Sequence, residues 1–487
     1  MVNGKILLIV LIAAACSVPC FIFPSNAVAQ DDHWSVSAAN WMQYWYYRGT
    51  RNDSLENRFI VDFNLGNFYT GAWMEMFEPN RPDQSYEKIT QRYLGWDDGG
   101  LRLHAGNFYR VYGRGLTLNA FYDDVIDFDN NLDGLDVSGF YDHFEFDAFS
   151  ARGLRPDTLA RDYTLRGASA AIRPLGFTKA GFSYVRFKQN DFNSFSDAAS
   201  ANITSFFYEL SNGPFELYAE YAYKTGNDAF GNNVNGDGTY ANVSISQGLI
   251  NILAEYKNYI NLVYPNPLGA FNNPPAVSHQ GRTLISLQGA PGERGYQLAA
   301  LISPSFDLNF EFSFSESFYR GFLPRDSSGQ PLVEKPYLAE KYGKIRWQLS
   351  DAIILNYQWD RFDYTPEDEI DNYVDTYFYL DRTNTLSLTA YTRRFIFDLA
   401  QHYHEDYFIL GYARGNFLQL NLGASTTTQR LRSDPEKLAF VELVVRFKSH
   451  ELIIFNGGER GGLICSSGIC QYRPTFEGTR IIMFSRF

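Results

Sequence analysis

The sequence predicts an all-β protein, a single closed antiparallel transmembrane β-barrel of about 24 strands, within a range of roughly 20 to 26. Three observations lead there. Apolar and polar residues alternate with period two, the connections between alternating segments are short at one end and long at the other, and the chain closes on an amphipathic segment ending in Phe487.

The first 29 residues stand apart. Lys5 is their single charge and precedes the apolar run Ile6 to Ala15, and Ala27-Val28-Ala29 supplies the small-x-small pattern of a cleavage site. Residues 1–29 therefore read as a secretory signal peptide and residues 30–487 as the barrel, with an uncleaved anchor as the alternative. No plug domain or periplasmic extension is expected before the first strand, which begins near Trp34. Trp41, Tyr44, Trp45, Tyr46 and Tyr47 in that strand suit an aromatic girdle at the bilayer boundary.

Alternation puts Phe306, Leu308, Phe310, Phe312 and Phe314 on one face, with Asp307, Asn309, Glu311, Ser313 and Ser315 on the other. Phe215, Leu217, Ala219, Tyr221 and Tyr223 oppose Glu216, Glu220 and Lys224 in the same way. Nothing else in the chain supplies an apolar surface to cover these stripes, so lipid is their natural neighbour. Short connections fall at Leu65 to Asn67, Asp97 to Gly100, Tyr141 to His143, Asn212 to Pro214 and Ala413 to Asn416. Long ones fall at Glu78 to Glu87, Lys188 to Asn202, Thr225 to Gly238, Tyr259 to Gln280, Ser317 to Pro336 and Thr427 to Lys437. That asymmetry is the pattern of bacterial outer-membrane barrels, with brief periplasmic turns and extended outer loops. Thr385 to Tyr403 must count as one long strand or three short ones to bring both termini to the periplasmic side.

Composition removes several alternatives. Acidic residues outnumber basic ones by 55 to 42, so nucleic acid is not an expected partner. The chain is 17% aromatic, which excludes disorder. Apart from the N-terminal segment there is no apolar run long enough for a spanning helix.

After signal cleavage two cysteines remain, in Cys465-Ser466-Ser467-Gly468-Ile469-Cys470. In an oxidising compartment the spacing suits a disulfide across a tight loop, worth roughly 2 kcal/mol in the loop-entropy picture; two free thiols are the alternative. A metal site would need further ligands nearby, and no Cys or His follows until the chain ends at Phe487.

The most distinctive stretch is Gly106-Asn107-Phe108-Tyr109-Arg110-Val111-Tyr112-Gly113-Arg114-Gly115-Leu116-Thr117-Leu118, followed by Asp123, Asp124, Asp127, Asp129 and Asp133. It resembles a G-x-F-Y...G-x-G-L segment in a family of Gram-negative outer-membrane barrels of unknown function. The ending from Gly457 through Cys465 and Cys470 to Pro474 resembles that family's paired-cysteine hairpin before the last strand. The resemblance implies fold and location and no activity. Phe487 resembles the terminal signal by which such barrels are recognised by the assembly machinery.

Glycines beside Arg110 and Arg114 permit a sharp bend that would fold the segment into the lumen as a constriction, the arginines holding Asp123 and Asp124 or an anionic solute. A glycine-kinked wall strand is the alternative. Asp127 to Gly134 has the carboxylate density of a calcium loop without its glycine and glutamate positions, and reads better as a solvated outer loop. Such loops can bridge to lipopolysaccharide through divalent ions. His402 and His404 share a strand face but lack a third ligand, and no GxSxG motif is present.

Alternation assigns Arg102, Lys344, Arg346, Arg446 and Arg480 to the inner wall, against Glu145, Asp147, Glu216, Glu220, Asp307, Glu311 and Glu442. The function expected from this lining is passage of small hydrophilic solutes across the outer membrane of a Gram-negative bacterium, without catalysis, cofactor or metal. The partners expected are membrane lipid and lipopolysaccharide, the barrel-assembly machinery and a small solute. The alternative is a structural or partner-binding platform for a secretion or surface complex, for which Tyr259 to Gln280 is the candidate docking loop.

Overall fold

The computed structural model describes residues 34–79, 85–126, 128–154, 161, 163–189, 199–227, 233–263, 271–283, 292–319, 337–364, 367–397, 402–429, 436–466 and 469–487. The expected signal peptide with its cleavage site and Asp127 lie outside the described residues, as do the side chains of Cys465 and Cys470. The backbone at these two cysteines pairs in register across the hairpin Gly462–Ser466 with Ile469–Arg473.

Among the described residues the wall is one 24-stranded sheet, antiparallel throughout. It closes because Trp34–Tyr47 pairs on one edge with Asn52–Leu65 and on the other with Phe476–Arg486, from Ala39 opposite Arg486 to Tyr47 opposite Gly478. Closure follows from the solvent: hydrocarbon offers no hydrogen-bond partner, so each orphan backbone group costs several kcal/mol and an open edge cannot persist. Phe487 finishes the seam by exchanging backbone hydrogen bonds with Ala38.

Successive wall strands are sequence neighbours around the ring. Tight turns close one end, several on glycines with positive φ such as Gly66, Gly213 and Gly415, where an L side chain would be strained. Asp381 holds another by accepting the N–H groups of Thr383 and Asn384 at 2.7 and 2.9 Å. These bonds favour the ionised form and keep its carboxyl well below the usual carboxylate range.

The region Thr385 to Tyr403 differs from expectation. It holds parts of two strands, Asn384–Phe397 and His402–Arg414, paired from Asn384 opposite Arg414 to Ile396 opposite His402. Parity is kept because Ile353–Tyr364 and Glu367–Tyr379 are joined on the long-loop side by residues 365–366 alone. In sequence Thr365-Pro366 marks a turn, but so brief a connection at that end departs from the length rule that separates outer loops from periplasmic turns.

The first strand also corrects the girdle. Arg58 sits over the rings of Trp41 and Trp73 and hydrogen-bonds Tyr122, a residue inside the barrel. Trp45 and Tyr47 stack edgewise on Phe476 beside Arg480. Trp41, Trp45 and Tyr47 thus face the lumen, and Tyr44 and Tyr46 share the outer face, as alternate positions must.

Much of the outer face elsewhere is apolar: Leu94, Leu103, Leu135, Phe182, Phe206, Leu298, Phe312, Phe408 and Leu422 are exposed there. The main buried cluster lies inside, where Leu116, Leu118, Ala120 and Phe271 pack on Leu165, Val185, Phe187, Ile203, Ala222 and Tyr259.

Candidate functional site

The wall is lowest at Leu101–Phe108, eight residues long, beside Leu132–Tyr141 and Phe144–Gly153. Where Leu101–Phe108 ends, the chain turns inward. Gly106 has φ +106°, and a Cβ there would collide with the Arg92 carbonyl, so this bend requires glycine. Between this strand and Leu132 the chain builds two small hairpins, Arg110–Tyr112 with Leu118–Ala120 and Tyr122–Asp123 with Phe128–Asp129. Gly113 and Gly115, at φ +61° and +89°, shape the first tip.

Partners of this segment come from widely separated strands. Gln91 donates to Tyr109 Oη at 2.6 Å, and Arg110 pairs with Asp136 and, at 3.1 Å, with Asp147, which also accepts from Tyr112. Ser183 Oγ donates to Thr117 Oγ1 at 3.2 Å, and the Arg114 N–H donates to Glu220 Oε2 at 2.9 Å. Arg473, before the last strand, donates to the Val125 carbonyl. Only a segment inside the ring can reach all of these.

A second inward segment, 271–283, meets the first. Asn119 N–H donates to the Phe271 carbonyl at 2.7 Å and Asn273 N–H to the Gly115 carbonyl at 3.1 Å. Its far end crosses to the opposite wall. The N–H groups of His279 and Gln280 donate to Glu340 at 2.6 and 3.0 Å, Gln280 Nε2 donates to Asp360, and Arg282 pairs with Glu369 at 3.0 Å. Arg393 then bridges Glu369 and Asp371 at 2.9 and 3.2 Å. The His279 ring lies on Tyr342 at a centroid separation of 3.5 Å. Burial pushes its pKa down, opposed by Glu311 and reinforced by Lys344.

The constriction candidates divide. Arg110 and Arg114 are inside, but neither holds Asp123 or Asp124. Arg110 is taken by Asp136 and Asp147, and Arg114 lies over the Tyr218 ring at 4.8 Å. Asp123 instead caps its own turn by accepting the Val125 N–H at 2.9 Å, and Asp124 is exposed. The solvated-loop expectation for Asp127 to Gly134 is also corrected: Phe128, Asn130, Asn131 and Leu132 are buried, and Asp129 accepts from Gln91 and Asn131. Likewise Phe271, Asn272 and Val277 are buried in the lumen, so the described part of Tyr259 to Gln280 is not an outer docking loop.

Of the wall candidates, Arg102 donates to Tyr69 Oη at 2.9 Å, and Glu145 pairs with Arg173 and Lys179 at 2.7 and 2.6 Å. Glu216 accepts from Ser244, Glu311 lies 3.9 Å from His279, and Glu442 accepts from Asn421. Arg346 shares the inward side of its strand with Tyr342 and Lys344, since alternate positions face one way. Arg446 pairs with Glu451, and Arg480 with Glu459 at 3.2 Å amid Trp45, Phe455 and Phe476. Asp307 sits in the turn between Ser305 and Leu308 rather than on a strand face, because the chain bends there to pair those two residues. Below the first hairpin is a recess of 460 Å³ carrying both signs of charge, from Arg102, Arg110 and Lys179 and from Glu145, Asp147 and Glu209.

The alternation pattern did not single out Asp136, Glu340, Asp360, Glu369, Asp371, Arg282 and Arg393. A signal for the lumen contacts was present: Tyr184 and Val185, then Phe187, place apolar residues on both faces of Thr178–Gln189 at its long-loop end. A strand wet on its inner side has no use for that. His404 lies 3.6 Å from Asp406, and the described residues contain no cluster of three metal-ligating side chains.

Residues 6–267 match the model of a family of unknown function, DUF6029, and the chain belongs to that family. No curated protein matches it. The structure is similar to Pseudomonas aeruginosa OccK5, at 11% identity over 75% of this chain and 98% of that one, with a TM-score of 0.40. It is also similar to OccK2 of the same organism in complex with glucuronate, at 14% identity over 69% and 92%, TM-score 0.42. The siderophore receptor PirA, again from P. aeruginosa, gives 9% identity over 94% and 80%, TM-score 0.47. Likeness this slight transfers no function.

Proposed function

We propose that this protein is an outer-membrane channel of a Gram-negative bacterium, passing small hydrophilic solutes through a lumen narrowed by residues 109–131 and 271–283. The reading rests on one observation above others: a closed wall with an apolar exterior encloses inward segments fastened by polar contacts beside a recess bearing both charge signs. Barrels of this strand number enclose far more space than side chains fill, so two short segments narrow the lumen without replacing it. The lining of both signs suits solutes that carry hydrogen-bonding groups rather than one net charge.

In this reading residues 1–29 are removed after Ala29, Cys465 and Cys470 form a disulfide on the outer side, and Phe487 is presented to the assembly machinery. Lipopolysaccharide surrounds the outer rim, and the protein performs no catalysis. The platform alternative is weakened by the inward course of 271–280, the described part of its docking loop. Planar-bilayer recording tests the proposal. Purified folded protein should give discrete conductance steps; silence at every voltage, from both the native protein and a variant with the inward segment released, would refute passage.

A further inference from the structure

The outer face carries a polar band on five strands, in which a row of basic residues lies between a row with Asp363, Asp368 and His402 and a row with Asn372, Thr392 and Asp406. Across five adjacent strands, Lys341 lies opposite Arg361, Arg361 opposite Ile370, Ile370 opposite Arg394, and Arg394 opposite His404. Their chain neighbours fix the direction. Glu340, Asp360, Asp371 and Arg393 hold the inward segment or one another inside the lumen, so Lys341, Arg361 and Arg394 point outward. Lys341, Arg394 and His404 are exposed.

Two rows nearer the turns, the same five strands present Ile345, Tyr357, Val374, Ala390 and Phe408, and the next row presents Trp347, Leu355, Thr376, Leu388 and Leu410. The row between holds Gly343, Trp359, Asn372, Thr392 and Asp406, so Lys341, Arg361 and Arg394 stand one polar row above the apolar belt, on the long-loop side, at the height of lipid headgroups.

Lys341 and Arg361, like charges directly opposite on adjacent strands, repel. Arg361 gains Asp363 at 2.6 Å, with Asp368 opposite Asp363, and His404 lies 3.6 Å from Asp406, whereas among the described residues no ion pair involves Lys341 or Arg394. An anion shared across the row would supply counter-charge to Lys341 and Arg394 and relieve the Lys341–Arg361 repulsion. With strands 4.7 to 4.9 Å apart, Lys341 with Arg361 forms one phosphate-sized station and Arg394 with His404 another, about 14 Å away.

We propose that this row binds the bisphosphorylated sugar headgroup of a lipopolysaccharide molecule, one phosphate at Lys341 and Arg361 and the other at Arg394 and His404, with its acyl chains on the apolar rows beneath. The site rests on the outer-membrane reading and adds to it a specific lipid position. Ile370, between the two stations, lies where the headgroup passes over the wall.

The test uses the purified full-length barrel in neutral detergent with bisphosphorylated lipid A, its dephosphorylated counterpart and inorganic phosphate. Heat-dependent gel migration first establishes that each sample is a folded barrel, so failure of the barrel reading is scored separately. The native protein should bind the bisphosphorylated lipid and not the dephosphorylated one. Lys341→Gln with Arg394→Gln should weaken binding by roughly tenfold or more, while Lys344→Gln, one turn of the alternation away on the inner face, should not. Equal binding of both lipids, or unchanged binding by the double variant, would overturn the site. Inorganic phosphate competing as well as the lipid would overturn the lipid as its occupant. The comparison of the two lipids on native protein decides the matter even if the double variant fails to fold.

Discussion

The Arg114 backbone N–H donates to Glu220 Oε2 at 2.9 Å, across 106 residues of sequence. Glu220 also accepts from Tyr218 at 2.6 Å, so one buried carboxylate fastens the tip of the inward hairpin to the wall. A hydrogen bond to a charged group contributes about 1.5–3 kcal/mol.

Glu220→Ala should therefore release the hairpin tip and raise the population of open lumen by roughly tenfold or more. Single-channel recording would show longer or larger openings with an intact barrel by gel migration. Unaltered conductance would mean that the tip does not limit passage.

Arg110 is the stronger fastening. Its removal strands Asp136, whose side chain is fully buried, and Asp147 without their cation. Breaking such a pair from one side costs about 3–5 kcal/mol. Arg110→Ala should make residues 109–131 exchange amide hydrogens much faster than the native protein. Combining it with Asp147→Asn should restore part of the protection, because less charge is left uncompensated.

At the bend, Gly106→Ala should destabilise the inward exit by more than about 1 kcal/mol, since φ is positive and the new Cβ meets the Arg92 carbonyl. Denaturant titration of protein folded into vesicles checks this, with Gly49→Ala, where a Cβ meets nothing, as the comparison.

His279 gives a pH dependence. Its pKa is lowered in the folded protein, so the neutral ring is the form that fits against Tyr342, Glu311 and Lys344. Its contribution is fully present above the ordinary imidazole value and is lost as pH falls from there through the depressed one. Residues 271–283 should loosen, and conductance rise, between about pH 7 and pH 5. His279→Gln should remove that part of the response.

How far the sequence went follows from the range of each interaction. Alternation is local, so the closed antiparallel wall, its strand number and the seam at Phe487 were legible. The partial failure at Thr385 to Tyr403 has a local cause: Thr365-Pro366 marks a turn, but one too brief to be assigned to the long-loop side by its length. The lumen was legible only to its glycines. Gly106, Gly113 and Gly115 announce a bend, but its direction is decided by Glu220, Asp147 and Phe271, which the chain reaches much later. The acidic run was misread for the same reason: Asp129 and Asn131 look solvated until Gln91 and Tyr109 are placed beside them. The girdle misreading was avoidable, because the period of two already separates Trp41, Trp45 and Tyr47 from Tyr44 and Tyr46.

The central claim is a wall with lipid on one side and water on the other, and adjacent positions on Asn384–Phe397 report it most directly. Leu388 faces outward and Thr389 inward, where its hydroxyl donates to Asp375 at 2.8 Å. Single cysteines along Thr385 to Phe395, in protein reconstituted into vesicles, would be probed with a water-soluble maleimide and a lipid-dissolved quencher of an attached fluorophore. The account expects strict alternation, with Ser387, Thr389, Tyr391 and Arg393 reached from water and Leu386, Leu388 and Ala390 from lipid. Uniform labelling from water along the strand, or no contact with lipid at any position, would contradict it.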